Sequence, residues 1–403
     1  MEIGPIWRSM RRNKGGFILI ALQIAVTMTI MVNAVAIIQE RSVDMARPSG
    51  LDEANTFALA SVSFVDGIDK KRLIDEDLDL IRRTNGVLSA TSTNSFPLRR
   101  GGWSEGVSLE PGEGVSDSST ALYFSDEHTV ETFALEFMEG ENFAPNHVDW
   151  VDRERNDWPP VAIVTEALAK DLFPDEDGSY LGKTFYIGND NPVSIIGVVD
   201  RLQAPWPNWA GLERSMLVPQ RRDGDFVRYV IRTEPGLRDK LMPQIEEMLA
   251  TSNPDRIIQS VRTMDDVRKM AYLGEAAMIK LLGFVVALLT AITGLGIVGL
   301  ASFNVSRRTR QIGIRRALGA TRASIIRHFM IENFLVSTVG VTAGAILAVA
   351  LNILLVEAFA LEPMAWYVIP SAMVMLWLVG QVAVAGPAHK ASNVTPAIAT
   401  RSI

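Results

Sequence analysis

Leu281-Leu-Gly-Phe-Val-Val-Ala-Leu-Leu-Thr-Ala-Ile-Thr-Gly-Leu-Gly-Ile-Val-Gly-Leu-Ala-Ser-Phe303 runs for 23 residues without a charge, and the 24 residues after it hold seven arginines. An α-helix needs about 20 apolar residues to cross the hydrocarbon core. Basic residues beside short loops stay on the cytoplasmic side. The passage therefore predicts a membrane span that emerges into a basic cytoplasmic segment carrying Arg307, Arg308, Arg310, Arg315, Arg316, Arg322 and Arg327.

Three further stretches, 17–38, 331–355 and 366–386, are apolar enough to span. Arg8, Arg11, Arg12 and Lys14 precede the first, and Lys390 and Arg401 follow the last. The hairpin between the third and fourth offers only Glu357 and Glu362. All basic segments fall on one side if both termini are cytoplasmic. The expected order is a cytoplasmic N-terminus (1–16), transmembrane helix 1 (17–38), an external domain (39–275) and transmembrane helix 2 (276–303). A cytoplasmic loop (304–328), transmembrane helix 3 (329–357), an external hairpin (358–365), transmembrane helix 4 (366–386) and a cytoplasmic C-terminus (387–403) follow. Ala34-Val35-Ala36 resembles a signal-peptide cleavage site. The apolar stretch before it outruns the roughly 7–15 residues of such a peptide, so the first span is read as retained.

The net charge of −7 divides unevenly. Residues 39–275 hold 25 Lys/Arg against 42 Asp/Glu, a net of −17, and the remainder holds 14 against 4, a net of +10. One chain thus joins an acidic water-soluble body to a basic membrane part, and nucleic acid is not an expected partner. There is no cysteine, which excludes disulfides and thiolate metal sites. His128, His147, His328 and His389 show no metal-ligand spacing, so no metal is expected. No Lys, Arg, Asp or His lies mid-span, which disfavours ion-gradient transport. Gly294, Gly296 and Gly299, and the pair Gly340 and Gly344, are expected to let helix backbones approach closely.

The acidic body reads as mixed α/β. Residues 72–83 have helical spacing ending at Asn85-Gly86, and Val87 opens a strand. Residues 161–164 read as a strand, Thr165 as an N-cap and 166–173 as a helix. Further strands are expected at 185–187, 193–199 and 226–231, and a helix at 237–249. Two lobes are expected, with irregular stretches at 99–120 and 165–190. Gly178-Ser-Tyr-Leu-Gly182-Lys183-Thr184 imitates a phosphate-binding loop. It has three residues where that loop needs four, and Asp177 stands at the required glycine, so ATP binding is not expected there. Trp206, between Pro205 and Pro207, and Trp209 read as aromatics tucked against the domain in preference to a docking loop.

The strongest local pattern is Gln311-Ile312-Gly313-Ile314-Arg315-Arg316-Ala317-Leu318-Gly319-Ala320. Ile312 with Arg316, and Ile314 with Leu318, are i,i+4 pairs on a short helix. Gly319 can stop that helix and Thr321 can cap the next. Attraction to anionic lipid explains the arginines but not the Gly/Ala/Ile pattern.

The stretch resembles the "EIGIRRALGA" element of the FtsX/MacB-type ABC permease family, with Gln311 replacing the usual acid. Glu332 falls where that family often places a glutamate. Residues 387–401 resemble the family's Pro-Ala-rich ending, with Ala399-Thr400-Arg401 in place of the common Ala-Leu-Arg. Residues 161–200 and 137–143 are similar to the MacB-like periplasmic core, and Leu181-Gly182-Lys183 belongs to that pattern.

The resemblance implies an integral membrane α-helical protein of four transmembrane helices, with a large α/β periplasmic domain inserted between helices 1 and 2. It also implies a coupling helix at 311–319 seated on a separate ABC ATPase subunit that binds ATP and Mg. The permease itself would have no catalytic residue and no cofactor. Spans one and two would continue outward as a stalk, and closure of the ATPase pair would be transmitted to the external domain instead of moving substrate through the membrane core. A second permease copy or paralogue completes a dimer in a bacterial inner membrane. The favoured role is export with a periplasmic adaptor and an outer-membrane channel. An FtsX-like signal transducer activating a cell-wall hydrolase and a Lol-like lipoprotein-release permease are the alternatives.

Overall fold

The computed structural model describes residues 14–65, 67–112, 116–151, 158–176, 178–188, 190–359 and 364–395. The chain separates into two compact units, Arg47–Gly274 and the remainder. Arg8, Arg11, Arg12, Asp177, Glu362 and the 396–401 ending lie outside the described residues.

Helix α1 (Lys14–Ala46) is about 50 Å long at 1.5 Å per residue, well beyond the roughly 30 Å of a hydrocarbon core. The chain then enters the first lobe through β1 (Thr56–Ser63), α2 (Lys70–Arg82) and β2 (Val87–Thr93). The Asp69 side chain accepts from the Arg72 backbone N–H and starts α2.

The second lobe follows as β3 (Trp103–Ser108), β4 (Ser118–Phe124), α3 (Thr129–Phe133), β5 (Phe137–Gly140), β6 (Asp149–Val151), β7 (Val161–Thr165), α4 (Glu166–Leu172), β8 (Thr184–Ile187), β9 (Asn191–Val199) and β10 (Ser215–Val218). The chain returns to the first lobe through β11 (Gln220–Arg222), β12 (Phe226–Thr233), α5 (Arg238–Ser252), β13 (Arg256–Thr263) and α6 (Met264–Ala271).

The first lobe is a sheet of order β13-β1-β12-β2, antiparallel throughout. Helices α2 and α5 cover one face, where Phe57, Leu59, Ile74, Leu78, Tyr229, Ile231 and Ile245 form the core. Asp77 is buried there with Arg256 as its ion-pair partner, and the Tyr229 hydroxyl donates to Asp77 Oδ2 at 2.6 Å. Arg256 also donates to the Leu249 carbonyl (2.7 Å) and to Ser252 Oγ (2.7 Å). The guanidinium fork is thus satisfied, which makes its burial tolerable. Burial, then the neighbouring Asp77 carboxylate, pushes the Tyr229 hydroxyl well above its ordinary pKa.

In the second lobe, strands β9, β7, β10, β4, β3 and β8 pair in that order, and β8 pairs back to β9. The pairing closes a ring, which removes exposed strand edges. Strand β5 joins the far end of β9. Val107, Leu122, Phe185, Val193, Ile195 and Met216 fill the interior, and α4 packs on it through Leu168 and Leu172. Thr165 caps α4 by accepting from the Leu168 N–H.

The Gly/Ser/Glu-rich stretch 99–120, expected to be irregular, instead supplies β3 and the start of β4, registered as Trp103↔Leu122. Its Ser, Gly and Glu residues obscured a strand with one outward face. Within 165–190 the expected loop character holds only for 173–183, since α4 and β8 flank it. The imitation phosphate loop opens into strand β8, not a helix, and Lys183 pairs with Glu176. Trp206 and Trp209 pack edge-to-face at 5.6 Å and are both half-buried.

The two ends of the Arg47–Gly274 unit are tied together. Arg268 on α6 bonds both carboxylate oxygens of Glu53, at 2.5 and 2.8 Å, and also the Arg47 carbonyl at 3.1 Å. Strand β1 begins where β13 ends, with Phe57 opposite Thr263.

The remaining helices are α7 (Leu273–Arg307), α8 (Thr309–Ala317), α9 (Arg322–Phe359) and α10 (Val368–Ser392). Four helices, including α1, are long and apolar enough to cross a membrane. Their shared core includes Ile24, Met28, Phe329, Val341, Leu376 and Val384. Helix α7 meets α1 through polar contacts, with Gln23 Nε2 donating to the Ile292 carbonyl (3.1 Å) and Thr27 facing Thr293 (2.8 Å).

Candidate coupling surface

The predicted site residues 311–319 lie on α8 and the turn that ends it. Ile312, only 5% exposed, and Gly313 face inward, and Ile312 joins Ile325 and Phe329 in the helical core. Gln311, Ile314, Arg315, Ala317 and Leu318 face outward, and Arg316 is half-buried. Ile314 is 47% and Leu318 83% exposed. Their i,i+4 spacing puts them on one stripe flanked by guanidinium groups. A short helix that shows two large aliphatic side chains to solvent has an unfilled apolar face.

The helix ends sharply. Gly319 has φ +95°, a left-handed conformation that costs glycine little. Its N–H reaches the Arg316 carbonyl at 3.1 Å, and the Ala320 N–H reaches the Arg315 carbonyl at 3.0 Å. These two bonds make a Schellman motif. Thr321 Oγ1 then accepts from the Ser324 N–H at 3.2 Å and starts α9, so only a four-residue turn separates the helices.

The start of α8 is held as firmly. Arg308 Nη1 donates to both oxygens of Glu332, which lies about three turns into α9, at 3.0 and 3.2 Å. Glu332 is buried, its side chain 6% exposed, and Arg308 is 18% exposed. Sequence reading singled out Glu332 by resemblance and Arg308 as one of seven arginines, but did not pair them. Such an ion pair 24 residues apart leaves no periodic signal.

Further along α9, Gly340 and Gly344 lie against α1. A Cβ on Gly340 would meet the Ala21 carbonyl and Ile24 Cβ at 2.8 Å, and one on Gly344 would meet Met28 Cβ at 2.5 Å. Their missing side chains let the helices come close enough for Thr29 Oγ1 to reach the Gly344 carbonyl (3.2 Å) and Asn33 Nδ2 the Ala348 carbonyl (3.3 Å). Span two differs from expectation. Gly299 meets nothing within 4 Å, Gly294 has ordinary contact with Val379, and Gly296 faces only the flexible end of Gln23. Those three glycines serve no close backbone approach in this chain, because α7 is largely exposed.

Among the described residues, no group of His, Cys, Asp or Glu is arranged to hold a metal. The exposed face of α8, formed by Gln311, Ile314, Arg315, Ala317 and Leu318, carries no nucleophile or general base. What it can do chemically is bind, by an apolar stripe with a cationic border.

Comparison with known proteins places residues 17–248 in the MacB-like periplasmic core domain and residues 272–396 in the FtsX-like permease C-terminal domain. An uncharacterised ABC transporter permease, YknZ, of Bacillus subtilis is 27% identical over 249 residues, covering 60% of this chain and 61% of its own. The macrolide export ATP-binding/permease protein MacB of Shewanella sp. is 26% identical, covering 52% of this chain and 33% of its own. The protein of that name from Brucella abortus is 27% identical, covering 82% of this chain and 49% of its own. The matched region thus spans between a third and three fifths of these relatives.

Proposed function

Given that the chain belongs to the MacB/FtsX family of ABC transporter permeases, we propose that it transmits ATP hydrolysis on a separate ATPase subunit to the external domain, and so drives export. The observation that carries this reading is α8: a short helix locked at both ends, with Ile314 and Leu318 turned outward on a basic border. A docking element must be rigid to pass displacement on, and apolar at its centre to hold a partner. Helix α8 meets both requirements, and only single turns join it to two apolar helices.

In this reading both termini and α8 are cytoplasmic in a bacterial inner membrane, and 39–275 is periplasmic. The basic and acidic partition of the sequence supports that orientation. ATP and Mg belong to the partner, and the Shewanella and Brucella relatives carry ATP-binding in their names alongside permease. A second permease, identical or paralogous, completes a dimer. A periplasmic adaptor and an outer-membrane channel carry the exported molecule onward.

The test is affinity purification of the tagged chain in mild detergent with mass spectrometry, beside an Ile314→Asp/Leu318→Asp variant. An ATPase and an adaptor should accompany the wild type, and the variant should lose only the ATPase. A cell-wall hydrolase in place of the adaptor would redirect the reading to signalling. An ATPase retained by the variant would remove α8 from the interface.

A further inference from the structure

The face of the β13-β1-β12-β2 sheet turned away from α2 and α5 carries a cavity of about 250 Å³. Alternation along the strands puts Ala58 and Ala60 on that face, with small side chains that leave room. Arg262 stands opposite Ala58 and Arg228 opposite Ala60. Arg99 and Arg100, from the loop after β2, complete four guanidinium groups around one opening. Phe96, Phe226 and Met270 supply apolar walls, and Phe226 and Met270 are substantially exposed.

No acidic residue lines this cavity. Among the described residues, none of the four arginines makes an ion pair, although the domain around them is strongly acidic. Their contacts are with neutral groups: Arg228 donates to the Asn94 carbonyl (2.9 Å) and lies over the Phe226 ring (4.2 Å), Arg99 donates to the Gly101 carbonyl (2.9 Å), and Arg262 to Met270 Sδ (2.8 Å). Burial, then the charge of Arg99, pulls the Arg228 guanidinium down to about 10, and burial lowers Arg99 as well.

Backbone strain converges on the same place. Among the described residues four non-glycines have positive φ, and three of them line this cavity: Leu98 (65°), Arg100 (66°) and Ser260 (55°). Ser260 sits at the break of register between β1 and β13, where β13 gains a residue. A bulge of that kind re-aims neighbouring side chains. A left-handed conformation is unfavourable for a non-glycine residue, and such strain gathers at functional sites.

We propose that this cavity binds a small amphipathic anion, with an oxyanion head among Arg99, Arg100, Arg228 and Arg262 and a short apolar stem against Phe96, Phe226 and Met270. Forked guanidinium groups match a phosphate or carboxylate. The volume admits a head and a short stem, not the two tails of a phospholipid. The site rests on the external domain alone and is independent of the ATPase reading.

The test uses the full-length chain in an uncharged maltoside detergent, titrated calorimetrically with hexyl phosphate, inorganic phosphate and hexanol. Hexyl phosphate should bind tightest, since each buried methylene tightens binding roughly fourfold. Among the described residues Arg100 has no side-chain hydrogen-bond or ion-pair partner, so Arg100→Gln should melt like the wild type. It should bind hexyl phosphate at least tenfold more weakly, the loss expected for one charged hydrogen bond. Arg100→Gly should relieve the positive φ, melt no lower than wild type and lose the same affinity. Equal binding of hexyl and inorganic phosphate would overturn the amphipathic assignment. Undiminished binding by Arg100→Gln, or no binding of hexyl phosphate at millimolar concentration, would overturn the site.

Discussion

Replacing Arg308 with methionine would strand the Glu332 carboxylate in a position where its side chain is 6% exposed. It would lose two charge-assisted hydrogen bonds of 3.0 and 3.2 Å. Removing one partner of a buried pair costs about 3–5 kcal/mol, because the survivor remains desolvated without compensation. The opposite variant, Glu332→Leu, should be milder, at about 1–2 kcal/mol. Arg308 is 18% exposed, and its long stem lets the charged head turn toward water. The double variant Arg308→Met/Glu332→Leu removes both charges and fills the space with aliphatic groups, a change that is often neutral for buried pairs. Thermal midpoints of the purified chain in detergent should therefore run wild type, then double variant close behind, then Glu332→Leu, then Arg308→Met. ATPase stimulation in the reconstituted complex should fall in the double variant although its fold is restored, since α8 has lost its tie to α9. A double variant that melts as low as Arg308→Met would refute the reasoning, for the pair would not then be what makes the buried carboxylate tolerable.

Gly344→Val should lower stability by about 2 kcal/mol, because its Cβ meets Met28 Cβ at 2.5 Å and the Ala25 carbonyl at 2.7 Å. Gly299→Ala, with open space around it, should be neutral or gain up to about 1 kcal/mol; equal midpoints for the two variants would contradict the packing account. Burial opposes ionisation of Glu53, but hydrogen bonds from Arg268 and Ser49 outweigh it and hold the carboxyl below its ordinary value of 4.5. A depressed folded pKa gives stability that is complete above the unfolded value and drains away as pH falls through the folded one. Glu53→Gln should accordingly flatten the fall in melting midpoint below about pH 4.5, and parallel acid limbs in the two proteins would count against the clamp. Asp77→Asn should cost about 3–5 kcal/mol by leaving Arg256 charged and buried; a shift under about 1 kcal/mol in chemical denaturation would show that the Leu249 and Ser252 acceptors suffice.

The membrane helices were legible because length and apolarity alone decide them, and the connection through α8 because Gly319 and Thr321 carry local stop and start signals. Caps such as Thr165 were equally readable, since the cap and its target are three residues apart. Strands β3 and β4 were not, because Ser, Gly and Glu obscure alternation on a strand with one wet face. The ring of the second lobe escaped for another reason: β8 and β9 are antiparallel neighbours only a few residues apart and readable as strands joined by a turn, but β10 with β4, β10 with β7 and β3 with β8 are pairings that no single segment encodes. Long-range ion pairs behave likewise. Nothing in the neighbourhood of Asp77 announces Arg256, and Arg99 and Arg228 become neighbours only once β12 lies between β1 and β2. The glycines of span two were over-read, since a small residue permits close packing without requiring it. The Gly340–Gly344 seam differs only in having another helix against it.

The placement of β1 and β13 has a mechanical consequence. These strands are antiparallel neighbours, and the chain enters the Arg47–Gly274 unit just before one and leaves just after the other. Forces drawing the two tethers apart would load that strand pair at one end, as a zipper is loaded, so that its ladder bonds would yield singly instead of together. Arg268 stands ahead of the first rung, fastening Glu53 and the Arg47 carbonyl across the gap. Tethers pulled in the same direction leave that fastener unstressed and carry the domain along whole. Tethers pulled apart must break the fastener before the first pair of strands feels any tension.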